Sequence, residues 1–209
     1  MHQFIRFCNN TFEIAFSHKL RRRCRYAFDR REKESNFWEW LDLGFKSCIC
    51  EQVSVSRHSP GKVRDDEKLV PVITSHSYVA ADGTLLPTIF DQRIKTGMSV
   101  DRRDFTNRAE FDERAKRLVS ENPSKRQYLG AVSFSAKAVR QVFHNGVRCF
   151  GVYDTALSNN AAHAEIAQTE EPALGAQDRK AIRARLRKSL LAGIDHGGKV
   201  VSSSVAFDG

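Results

Sequence analysis

The segment His163-Ala164-Glu165-Ile166 sets an imidazole two residues from a carboxylate. On a helix beginning near Asn160, this pair suits hydrolytic deamination of a nucleobase. The histidine ligates zinc, the metal lowers the pKa of a bound water, and the glutamate shuttles protons. That chemistry needs two more ligands, which a downstream Pro-Cys-x-x-Cys supplies. No cysteine follows Cys149, and the one later histidine, His196, has the wrong spacing. A hydrogen-bonded imidazole at the start of an element is the stronger reading, and neither a metal nor another cofactor is expected.

Two other segments carry polar chemistry. On a strand, Ser99-Val100-Asp101-Arg102 points Ser99 and Asp101 one way, Val100 and Arg102 the other. Arg102, followed by Arg103, would grip a phosphate or carboxylate, with Asp101 as orienter or base. The competing reading is a structural Asp–Arg pair that closes the loop before the next helix. Thr74-Ser75-His76-Ser77-Tyr78 places a histidine among hydroxyls. It could serve as a general base or meet a ribose hydroxyl, and it fits equally well on the solvent face of a strand. If they converge, His76, Asp101, Arg102, His163 and Glu165 suit a nucleotide or phosphoester ligand.

Ser99-Val100-Asp101-Arg102, together with Asn159-Asn160-Ala161-Ala162-His163-Ala164, resembles a family of small bacterial proteins. Those proteins carry a Ser-Val-Asp-Arg segment in mid-chain and an Asn-Pro-Ala-His-Ala segment near the end of the domain. A glycine-containing strand lies between them, similar to Leu129-Gly130-Ala131-Val132 here. The resemblance spans roughly residues 70 to 168, and Ala161 stands where that family usually has proline. The family has no established activity, so the resemblance implies architecture rather than function. It counts against deamination, because the family's His-Ala usually runs on into a non-acidic, β-like stretch.

These residues need elements to position them. Val70 to Val79 is β-rich, Asp82-Gly83 is a turn signal, and Leu85 to Phe90 reads as the return strand. Thr106 can cap a helix to about Glu121, with Phe111, Ala115, Leu118 and Val119 on one face and Asn122-Pro123 as its stop. Tyr128 to Phe134 and Val147 to Tyr153 read as strands. Between them Ser135 caps a short helix that ends at Asn145-Gly146. A helix over 177–193 follows from Ile182, Leu186, Leu190 and Ile194 at intervals of four. The pattern implies an α+β fold, a small mixed sheet flanked by helices. Residues 1–66 are expected to be a helical, aromatic and basic appendage, and 67–209 the main domain, divided at the turn-rich Ser59-Pro60-Gly61-Lys62.

The formal net charge is +9 and the pI about 9.5, which favours polyanions such as nucleic acid. Arg21, Arg22, Arg23 and Arg25 form one basic cluster. Arg179, Lys180, Arg183 and Arg187 form another on the carboxy-terminal helix. Phe28, Trp38 and Trp40 offer stacking faces for unpaired bases. The five cysteines are odd in number and no signal peptide precedes them, so reduced thiols and a cytoplasmic setting are expected. No apolar run is long enough for a membrane span. Two function classes follow. The first is a small bacterial enzyme-like domain acting on a nucleotide or nucleic acid, of defence or toxin type. The second is a non-catalytic module that binds nucleic acid or protein through its basic helix. Zinc-dependent deamination is a minor third.

Overall fold

The computed structural model describes residues 51, 58–90, 97–144, 147–168, 181, 185, 188, 189 and 191–208. Its strands are β1 (Lys68–Val70), β2 (Val72–Ile73), β3 (Met98–Arg102), β4 (Gly130–Ala131), β5 (Phe134–Ser135), β6 (Phe143–His144), β7 (Val147–Arg148), β8 (Phe150–Asp154) and β9 (His163–Gln168). Its named helices are α1 (Arg108–Ser120), α2 (Ala136–Arg140) and α3 (Ser203–Asp208). The fold is α+β. The principal sheet runs β5-β1-β3-β9-β8, and each of its ladders is antiparallel.

Alternation along β3 and β9 gives the sheet two different faces. Asp101 pairs with His163, Ser99 with Glu165, and Val100 with Ala164. Directly opposed residues share a face. One face therefore carries Met98, Val100, Ala164, Ile166, Phe150 and Val152, all buried in the main core with Leu69, Phe134 and Val139 of α2. The other carries Ser99, Asp101, His163, Glu165 and Tyr153. At the β1 end of that second face, Val70 and Ala131 pack with Phe111 of α1 and Ala206 of α3. The rings of Phe111 and Phe207 lie 5.2 Å apart. Phe111 and Ala115 are the buried positions of α1, so the helix covers this face and overhangs Asp101.

Several elements differ from the sequence expectation. His163 opens a strand, not a helix. Leu157 and Asn160 exchange backbone hydrogen bonds at 2.9 and 3.0 Å, and that turn delivers the chain directly into β9. The return strand expected at Leu85 reduces to an isolated bridge with Val79, followed by a 3-10 turn over Pro87–Phe90. Pro87 has no N–H to give a ladder. His76 lies in a 3-10 turn, His76–Tyr78, capped by Ser75. The cap of α1 is Asn107, whose side chain accepts from Glu110 N at 3.0 Å, one residue after the expected Thr106. Ser135 caps α2 as expected, accepting from Ala138 N.

Residues 58–66 are bound into the sheet domain. Val63 is in the main core, and the carbonyls of Gly61 and Lys62 accept from Arg102. Glu51 is buried and accepts from Arg140, Arg148 and the Val152 amide. Residues 1–50 and 52–57 of the expected appendage lie outside the described residues. Of the expected helix over 177–193, residues 181, 185, 188, 189 and 191–193 are helical.

Candidate functional site

A cleft of about 560 Å³ opens on the Asp101–His163 face of the sheet, beneath α1. β1 and β2 contribute Val70 and Val72, β3 contributes Ser99 and Asp101, and α1 contributes Arg114, Arg117 and Leu118. Thr74, Glu121, Arg126, Asn159, Asn160 and His163 complete its polar wall, with Leu157 beside them.

Asp101 is the node of this wall. Its Oδ1 accepts from Asn160 Nδ2 at 2.7 Å, and its Oδ2 accepts from Arg114 Nε at 3.0 Å. Arg114 Nη2 donates in turn to Thr106 Oγ1 at 2.5 Å. Both carboxylate oxygens are engaged and only 6 % of the residue is exposed. Of the two roles read from sequence, orienter and base, the geometry fits the orienter: Asp101 fixes Arg114 and Asn160.

His163 is held from behind. Its Nδ1 lies 3.0 Å from the Thr155 carbonyl oxygen and 2.8 Å from Thr155 Oγ1. A carbonyl oxygen can only accept, so it assigns the hydrogen to Nδ1 and leaves Nε2 as the nitrogen for other chemistry. Nε2 has no hydrogen-bond partner among the described residues.

The arginines differ in how far they are engaged. Arg114 is tied to Asp101. Arg126 donates to the Leu118 carbonyl at 2.9 Å and lies 3.3 Å from Glu121 Oε2. Arg117 is exposed, and its guanidinium has no acidic or hydrogen-bond partner among the described residues. The Arg117 charge is the one this wall leaves available for an anion.

The cross-strand register therefore brings Asp101 and His163 to one cleft, and leaves three other sequence candidates outside its lining. Arg102 is on the opposite face, 1 % exposed. It makes a two-point contact with Glu67 at 2.6 and 2.9 Å, approaches Asp154 at 3.7 Å, and stacks 4.3 Å from the Phe105 ring centroid. His76 is exposed, with Nε2 3.0 Å from Gln127 Oε1. Glu165 shares the His163 face but is buried between Ser99 and Tyr153 in register. Being on one strand, His163 and Glu165 also lack the helical placement that the deaminase motif assumes. Among the described residues, no three His, Cys, Asp or Glu side chains gather as metal ligands.

Arg114, Arg117 and Arg126 were not singled out from sequence, and Asn160 entered only as the start of an expected helix and as part of the segment over 159–164. The available signal was the flank of α1. Arg114 and Arg117 stand three apart beside the Phe111–Ala115 stripe, which puts them at the rim of whatever that stripe covers. The expected nucleic-acid-binding residues Arg21, Arg22, Arg23, Arg25, Arg179, Lys180, Arg183 and Arg187 lie outside the described residues. Arg185 and Lys188, from the same basic stretch, are exposed. No helix among the described residues is long and apolar enough to cross a membrane. Compared with protein-family models, curated proteins and solved structures, the chain matches none.

Proposed function

We propose that the domain acts on a nucleotide or nucleic-acid ligand, held by a phosphate in the cleft beneath α1. One observation carries this reading: Arg117 and His163 line the same hollow, each with its working nitrogens unengaged among the described residues. Arg117 supplies the charge-assisted contact to phosphate. Arg114 and Arg126, paired with Asp101 and Glu121, frame the same wall and leave Arg117 as its available charge. His163 Nε2 is the atom that takes or gives the proton at the reacting oxygen. The overall charge of +9 supports an anionic partner. A cytoplasmic, bacterial setting belongs to this proposal through the expected reduced thiols and the family resemblance.

The test is binding and turnover of a fluorescent single-stranded oligonucleotide across salt concentrations. The wild type is expected to bind with a steep salt slope and to turn the probe over, while His163→Ala binds normally and does not turn it over. Binding without turnover, unchanged in His163→Ala, would leave only the non-catalytic module. No binding at low salt would remove both.

A further inference from the structure

A second hollow of about 460 Å³ lies beside the first, lined by Ala109, Glu110, Glu113, Arg114, Arg117 and Asn159. Arg114, Arg117 and Asn159 line both hollows, so they form a ridge between them. Each volume falls within the roughly 300–1,000 Å³ that holds one small-molecule-sized ligand. Together they offer more room than one nucleotide needs.

From this ridge, and resting on the phosphate reading above, we infer that the ligand is a nucleic-acid strand of at least two units, one in each hollow. The linking phosphodiester crosses at Arg117. The charge balance runs in that sense: Arg114, Arg117 and Arg126 outnumber Asp101 and Glu121 in the first hollow, whereas Glu110 and Glu113 match Arg114 and Arg117 in the second. The exposed guanidinium of Arg117 stands on the ridge, where the anionic link must pass. The far wall carries carboxylates, which repel phosphate and accept from base or sugar donors. Of these, Glu113 is already offset by Lys116 Nζ at 2.7 Å, and Glu110 accepts from Thr106 Oγ1 at 3.0 Å. That balance suits a nucleoside in the second hollow better than a phosphate. Ala109 and the stems of the two arginines give it a surface to pack on.

The experiment compares 5′-phosphorylated deoxyadenosine mono-, di- and tetranucleotides by calorimetry at about 0.15 M salt, on the full chain and on Ala109→Glu. Ala109 is exposed and outside the first cleft, so glutamate there adds a third carboxylate to the second hollow without touching the core and without a ring on which a base could stack. The second nucleotide is expected to raise affinity by about fivefold, on the scale of one exposed base–guanidinium contact. Ala109→Glu is expected to cancel that gain while mononucleotide binding stays within about twofold of wild type. Equal affinity for mono- and dinucleotide, or a gain that survives Ala109→Glu, overturns the two-unit ligand and leaves the phosphate reading standing. Failure of every length to bind overturns both.

Discussion

Arg102→Met separates structural charge from ligand-facing charge. The wild-type guanidinium donates to Glu67 Oε2 at 2.6 Å, Glu67 Oε1 at 2.9 Å, the Gly61 carbonyl at 2.7 Å and the Lys62 carbonyl at 3.3 Å. Methionine fills much of the same volume but donates to none of them. Among the described residues, Glu67, itself 1 % exposed, then keeps only the Arg64 amide on Oε1 at 2.8 Å and a distant Arg64 guanidinium. Removing one partner of a buried pair costs about 3–5 kcal/mol, because the remaining charge has no water to return to. At about 2–4 °C per kcal/mol for a chain of this size, the melting temperature falls by roughly 6–20 °C. Urea denaturation followed by circular dichroism reads the loss directly. Adding Glu67→Gln to Arg102→Met is expected to cost much less than the sum of the two single changes, since the second removes the charge that the first orphans. A single-variant loss under about 1 kcal/mol, or strictly additive costs, would refute the pair as a buried structural unit.

Three further outcomes follow from the same geometry. Arg117→Ala is expected to leave stability within about 0.5 kcal/mol of wild type, and to lower the slope of oligonucleotide affinity against salt by about 1, read by fluorescence anisotropy. Gly130→Ala is expected to destabilise by at least about 1–3 kcal/mol in chemical denaturation. Gly130 sits at φ +136°, where an added Cβ would meet the Val201 carbonyl oxygen at 2.4 Å. Partial burial is the largest single influence and raises the Asp195 carboxyl, but the hydrogen bonds from Lys68 at 2.7 and 2.8 Å and from Ser133, with the charges of Lys68 and His196, together outweigh it and hold the pKa below its ordinary value. A depressed carboxyl stabilises the fold above its unfolded pKa of about 4, and that contribution is lost as pH falls through the lower folded value. Asp195→Asn is therefore expected to flatten the acid limb of the stability–pH curve and to leave its neutral shape intact.

The paired faces of β3 were legible because their period of two is written into Met98-Ser99-Val100-Asp101-Arg102. The same alternation runs through His163-Ala164-Glu165-Ile166, yet the preceding asparagines suggested a helix cap there. Reciprocal hydrogen bonds between Leu157 and Asn160 make that stretch a turn, and a turn leaves the chain extended. The order of strands was not legible, because β1 finds its partners in β3 and β5 while β8 and β9 sit at the far side of β3. Such pairings depend on contacts far apart in sequence. Arg102 shows the same limit: beside Asp101 it reads as an anion grip, and only Glu67, 35 residues earlier, makes it a buried structural charge. Arg114 and Arg117 read as ordinary solvated helix residues until the Phe111–Ala115 stripe lands on the sheet and aims their edge across Asp101.

The imidazole resonances of the chain, followed by nitrogen-detected NMR during titration with adenosine 5′-monophosphate at low salt, address the cleft most directly. Occupation of the hollow beneath α1 predicts that His163 Nε2 shifts saturably while His76, outside the lining, stays in place. A His163 signal that does not move while the nucleotide binds, or a response centred on His76, would contradict the assignment of this cleft.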